Sequence, residues 1–268
     1  MKSKILNVFF GLVFVVGLAI MLYPTVSNLI NRHNQSQVVN TYIEEVNNMD
    51  DETYVFERDK AMRYNELISH HSHIGESVDD ASLKYDELLD LGGMGIMGIL
   101  KIPVIDVELP IYHGTDAAEL QVGVGHYEGS SLPVGGKSTH SVLTGHTGLP
   151  SSRLLTDIDQ LEKGDIFYVT VLKETLAYEV DQIKIVLPEE LSDIDIVEGE
   201  DYCTLVTCTP YGINTHRLLV RGKRIAYVEM SNEVSQELQI IPFVIVLMIA
   251  VGIYMLLFLL KNKLRKKG

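Results

Sequence analysis

Cysteine is nearly absent. Only Cys203 and Cys208 occur in 268 residues, and they lie five apart in one strand-like run. An odd separation along a strand sends two side chains to opposite faces, so a disulfide between them is excluded on geometry. Basic residues are also scarce away from the chain ends. Seven of the 22 lie in Lys2, Lys4 and the run from Lys261 to Lys267, which leaves 15 against 36 acids. A polyanionic partner such as nucleic acid is thereby disfavoured. The acidity suits an exposed surface or a basic substrate, and solubility alone explains it equally well. Proline is missing between Pro24 and Pro103. Within that gap Gln35 to Ser69 has no glycine either, and its apolar residues recur at helical spacing, which predicts one helix.

What is abundant is apolar sequence, 46% of the chain. Ile5 to Tyr23 carries no charge, and Ile240 to Leu260 is a second uncharged run of 21 residues. About 20 apolar residues cross a bilayer as a helix, so both runs are expected to span. The first is longer than a signal-peptide core and has no clear cleavage site, so it reads as a retained anchor. Lys2 and Lys4 before the first run, and five basic residues after the second, place both termini in the cytoplasm and the middle outside.

From Met94 the texture becomes short strands punctuated by Gly and Pro. Alternation in "IPVIDVELPIYHG" marks one, and Ser141 to Gly145, Ile166 to Leu172, Thr175 to Leu187, Tyr202 to Cys208 and Arg217 to Tyr227 mark others. One short helix is expected near Ser152 to Leu161. Many strands with little helix predict a closed or nearly closed antiparallel barrel. The divisions are 1–30 for the cytoplasmic tail and first span, 31–93 for an outer helical region, 94–228 for the barrel, and 229–268 for a linker, the second span and a basic tail.

The stretch "TLVTCTPYGINTHRLLVRG" carries the chemistry. An apolar strand ends at Cys208, turn residues follow, and a second strand begins near Arg217. Antiparallel pairing makes Cys208 and Arg217 neighbours at the hairpin mouth, with Arg221 four residues further down and Arg224 beyond it. A working thiolate needs a base or a cation nearby. Of nine histidines, His146 in "SVLTGHTGLP" stands just past a strand end, where loops present reactive groups. His113, His126, His140 and His216 compete less well. A lone cysteine is more often a small buried apolar group, and Cys203 is read so. Spacing alone leaves Cys208 open between the two roles. The run "HHSH" (His70 to His73) lacks a partner at zinc spacing and reads as exposed loop. No cofactor or metal is indicated.

"LTGHTGLP", "TLVTCTPYGINTHRLLVRGKR" and "LPIYHGT" resemble the sortase family, more narrowly its class C, pilin-polymerising members in Gram-positive bacteria. The likeness runs from about Gly95 to Arg224, and the C-terminal span fits the same class. It implies an eight-stranded mainly-β barrel. By motif position Cys208 matches the nucleophile, His146 the catalytic histidine and Arg217 the catalytic arginine, with Thr207 expected to orient substrate or Arg217. The implied reaction cleaves an LPXTG-like sorting signal between Thr and Gly and passes the acyl group to an amine, a pilin lysine or a cell-wall precursor. Class C enzymes carry an Asp-Pro-aromatic lid upstream of the barrel, and His70 to Gly93 has no proline. The expectation is a degenerate lid and a less autoinhibited site. The rival readings are a housekeeping sortase that anchors surface proteins, a plain cysteine protease, and a non-catalytic membrane-tethered assembly protein.

Overall fold

The computed structural model describes residues 2–70, 74–75, 78, 80, 82–190 and 192–228. The second apolar run, the 229–268 division, and His71 to His73 lie outside the described residues.

The single helix expected over 35–69 is two. Helix α1 (Lys2–Asn48) runs unbroken from the first apolar segment through Pro24, and α2 (Asp51–Ile68) follows. Asp50 ends the run between them, because its carboxylate accepts the Thr53 N–H at 2.7 Å and caps α2. Near its start α1 exposes Phe10, Phe14, Ile20 and Met21 to no protein partner. It is the one helix among the described residues long and apolar enough to cross a membrane. Its later turns bury Val39, Tyr42 and Val46 against Ile96 and Ile99 of the barrel.

Eight strands close the barrel in the order β1-β2-β3-β4-β7-β8-β6-β5. They are β1 (Ile96–Ile102), β2 (Val107–His113), β3 (Val124–His126), β4 (Thr139–Thr144), β5 (Ile166–Val171), β6 (Glu174–Val186), β7 (Asp201–Thr209) and β8 (His216–Ile225). The expected purely antiparallel pairing is corrected at two seams, since β2 and β3 run parallel and so do β4 and β7. The excursion through β5 and β6 between β4 and β7 makes the second parallel seam possible. Strand β1 escaped the alternation test because all but one of its residues are buried, so neither face reads as polar. Strand β3 has three residues, too few for a period. The expected helix at Ser152–Leu161 is instead a series of turns ending in a 3-10 turn at Ile158–Gln160.

The barrel is filled by side chains such as Leu100, Ile111, Leu143, Phe167, Leu205 and Val220, all at or near zero exposure. A smaller apolar cluster of Val142, Val186, Ile194 and Leu219 lies on the outer face of β4, β6, β7 and β8, joined by Ile74, Tyr127 and Val206.

Candidate active site

The two faces of β7 separate its two cysteines. Cys203 and Leu205 belong to the barrel interior, and Val206 belongs to the outer cluster. Cys203 is 0% exposed, and burial pushes its thiol well above the ordinary range, so it has no access to a thiolate. Cys208 shares the outer face with Val206, is partly exposed, and is a free thiol. Only Cys208 is available for nucleophilic chemistry.

The β7–β8 ladder pairs Cys208 with Arg217 and Thr209 with His216. The register inferred from the hairpin is the one observed. The Arg217 guanidinium donates to the backbone carbonyls of His216 at 3.2 Å and Asn214 at 3.4 Å, both in its own loop. Among the described residues it meets no carboxylate. The other two arginines of β8 are committed. Arg221 forks onto Asp181 at 2.9 and 2.7 Å and lies 4.1 Å over the Tyr202 ring, and Arg224 pairs with Asp201 at 3.7 Å.

His146 follows the end of the parallel β4–β7 seam. The paired positions end with Thr144 opposite Val206. The seam continues one step, because the Gly145 N–H donates to the Val206 carbonyl at 3.0 Å. Two residues past each partner stand His146 and Cys208. Thr207 is 3% exposed, and its hydroxyl donates to the Gly145 carbonyl at 2.8 Å. Thr207 therefore ties the strand of the thiol to the strand of the histidine. Beyond Gly145 the chain folds back compactly. The His146 carbonyl accepts the Leu155 N–H at 3.3 Å, and Thr156 Oγ1 accepts the Gly148 N–H at 3.1 Å. Gly145 leaves no room for a side chain, since a Cβ there would lie 2.8 Å from Leu155 Cδ1.

The competing histidines hold structural positions. His140 is buried, with Nδ1 donating to the Asp195 carbonyl at 2.9 Å and Nε2 accepting from the Thr204 hydroxyl at 2.7 Å. His126 is buried, with Nε2 donating to the Ser131 carbonyl at 2.9 Å and Nδ1 accepting from the Tyr85 hydroxyl at 2.9 Å. Desolvation pushes both imidazoles down to about 4, so both are neutral near pH 7. His113 contacts the carbonyls of Gly95 and Leu88, and His216 pairs with Thr215.

Two described residues of the segment before the barrel make contacts here. Ile74 packs on the outer cluster, its N–H donates to Asp195 at 3.3 Å, and the Gly75 N–H donates to the Gly129 carbonyl at 3.1 Å. Sequence reading missed this apolar face, because residues from three separated strands and the 194 turn compose it. Tyr211 and Ile213 in the β7–β8 loop stand 68% exposed.

The Sortase domain model matches residues 100–225. The structure of sortase C1 from Streptococcus agalactiae aligns with a TM-score of 0.69 and 47% identity, over 72% of this chain and 100% of that one. The chain belongs to the sortase family. As a sortase it is a cysteine transpeptidase, and its eight-stranded barrel is the sortase fold. Sortase C of Streptococcus pneumoniae aligns with a TM-score of 0.65 and 44% identity, over 73% of this chain and all of that one. Among curated relatives, Sortase D of Bacillus subtilis is 37% identical over 48% of this chain, and the match spans 63% of that protein's length. Sortase A of Streptococcus agalactiae is 27% identical over 79% of this chain and 81% of its own.

Proposed function

We propose that this sortase is a class C, pilin-polymerising transpeptidase whose catalytic residues are Cys208, His146 and Arg217. The observation that carries the reading is the strand register of β4, β7 and β8, which supports grouping the one accessible thiol with an arginine that meets no carboxylate among the described residues and with a partly exposed histidine. In the reaction the Cys208 thiolate attacks the Thr–Gly carbonyl of an LPXTG-like signal. Arg217 steadies the developing oxyanion, and His146 protonates the departing amine. The thioacyl enzyme is then resolved by a lysine amine of the next pilin subunit, which regenerates the thiol. Thr207 holds the two strands in register.

The class assignment is supported by the solved sortase C structures at 44–47% identity, against 27% for the Sortase A of Streptococcus agalactiae. We further place Ile5–Tyr23 across the membrane with the barrel outside, and Ile240–Leu260 as a second span that returns the basic tail to the cytoplasm. The relatives named Sortase A favour the second reading, a housekeeping enzyme with a cell-wall amine as acceptor. An acceptor competition separates the two. The full-length enzyme, a sorting peptide, and equimolar pilin-derived lysine peptide and cell-wall-type amine are incubated, and the products are weighed. Dominant isopeptide to the pilin lysine is expected. Dominant transfer to the cell-wall amine establishes the housekeeping role, and dominant hydrolysis establishes a protease.

A further inference from the structure

The β4–β7 seam stops one residue short of His146. Its last cross-links are the Gly145 N–H on the Val206 carbonyl at 3.0 Å and the Thr207 hydroxyl on the Gly145 carbonyl at 2.8 Å. Beyond them, among the described residues, no hydrogen bond or ion pair joins 146–152 to 208–217. The loop after β4 bonds within itself and to α1, through the Gly148 N–H on Thr156 Oγ1 at 3.1 Å and Asn31 Nδ2 on the Ser151 carbonyl at 2.8 Å. The loop between β7 and β8 bonds within itself as well. The Pro210 carbonyl accepts the N–H groups of Ile213 and Asn214, both at 3.0 Å, and the Arg217 guanidinium donates to the Asn214 and His216 carbonyls.

The Tyr211 ring crosses this gap. A Cβ on Gly148 would lie 3.1 Å from Tyr211 Cε2 and 3.3 Å from Cζ, so the ring rests on the Gly148 backbone. Gly148 also has φ +74°, the left-handed region that favours glycine. Backbone conformation and close approach both call for glycine here. Gly148 is two residues past His146, and Tyr211 is three past Cys208. At no more than about 3.6 Å per residue, the two backbones in contact stand within about 7 Å of His146 and about 11 Å of Cys208. Tyr211 is 68% exposed, so the contact adds little to the stability of the fold. What it fixes is the spacing of two loops that carry reactive groups.

We propose, on the reading of Cys208, His146 and Arg217 as the catalytic groups, that Tyr211 is a positioning residue. Its ring, laid on Gly148, docks the β7–β8 loop on the loop after β4 and holds His146 in register with the thiol and the arginine of the hairpin. The effect runs through His146, because a displacement of about 1 Å between a proton donor and the departing amine costs up to about a hundredfold in rate. The contact is made by ring carbons, so a phenyl ring serves as well.

The test measures steady-state transpeptidation by the full-length enzyme, with a fluorogenic sorting peptide and a lysine amine as acceptor. Tyr211→Ala is expected to lower kcat about tenfold, with KM for the sorting peptide within about twofold of the parent. Its Tm is expected to change by less than about 2 °C. Tyr211→Phe is expected to keep kcat within about twofold of the parent. Gly148→Ala drives a Cβ into the ring and is expected to lower kcat as Tyr211→Ala does. The double variant then falls no further than the slower single one, because both act on one contact. Parental kcat in Tyr211→Ala overturns the proposal, and so does a loss carried by KM, which makes Tyr211 a substrate contact. A Tyr211→Phe as slow as Tyr211→Ala overturns it too, as does a double variant whose loss is the product of the two single losses. Failure of the site reading itself looks different, since the parent then acquires no acyl mass on Cys208.

Discussion

Removing one hydroxyl tests whether the seam between β4 and β7 sets the reacting geometry. Thr207→Val keeps the shape of the side chain and deletes its 2.8 Å bond to the Gly145 carbonyl. Thr207 is 3% exposed, so water does not replace the lost donor. An unsatisfied buried carbonyl costs about 1–3 kcal/mol, and the added methyl recovers part of that. A net loss of about 1–2 kcal/mol follows, which lowers Tm by roughly 2–8 °C for a domain of this size. The kinetic effect is expected to be larger in proportion. Gly145 is the residue before His146, and a shift of about 1 Å between reacting groups costs up to about a hundredfold. Thr207→Ser provides the control. It loses a methyl group, worth about 1 kcal/mol, and keeps the hydroxyl. The two variants are thus similar in stability and different in rate, read by thermal unfolding and by transpeptidation of a fluorogenic sorting peptide. Parental kcat/KM in Thr207→Val, or an equal rate loss in Thr207→Ser, refutes the reasoning.

Other perturbations follow from the same contacts. Arg217→Lys is expected to lower kcat/KM by about a hundredfold or more with Tm unchanged, because a lysine cannot reproduce the guanidinium fork. Arg221→Lys reverses the pattern, losing about 1–2 kcal/mol of stability from the Asp181 fork and keeping the rate within threefold below its Tm. Tyr42→Phe leaves the Leu172 N–H and the Met97 carbonyl without their shared partner, so urea unfolding is expected to show a loss of about 2–3 kcal/mol. His126 and His140 titrate near 4 when folded and near 6.5 when unfolded, so the unfolded chain binds more protons between those values. Stability therefore falls as pH drops from about 6.5 to about 4, by on the order of 3 kcal/mol per histidine, with Asp201, raised by burial, working in the opposite sense. His140→Gln is expected to flatten that slope in denaturant titrations at stepped pH.

The hairpin at the thiol was legible because it is local. Strand, turn and strand occupy one continuous stretch, and the Cys208–Arg217 pairing depends only on where the turn residues lie. The position of His146 was legible from its strand end and from family likeness, and its alignment with Cys208 was not. That alignment needs the parallel β4–β7 seam, which β5 and β6 separate in sequence. The bond from Thr207 to Gly145 was not legible either, because it crosses the same seam. The outer apolar face was hidden for the same reason as the seam, since Val142, Val186 and Leu219 each look like ordinary core residues in their own strands. The break between α1 and α2 was readable in principle from Asp50 and Thr53, a cap that a continuous helical period masks.

The central claim is that Cys208 forms a thioacyl enzyme, and intact-protein mass spectrometry measures this directly. The full-length protein is incubated with an LPXTG-type peptide in the absence of an amine acceptor and quenched in acid. A mass increase equal to the acyl fragment, mapped to Cys208, abolished by Cys208→Ala and discharged on adding a lysine amine, is the predicted result. A Cys208 that reacts with a small thiol probe and yet acquires no acyl mass across a panel of sorting peptides would contradict the account.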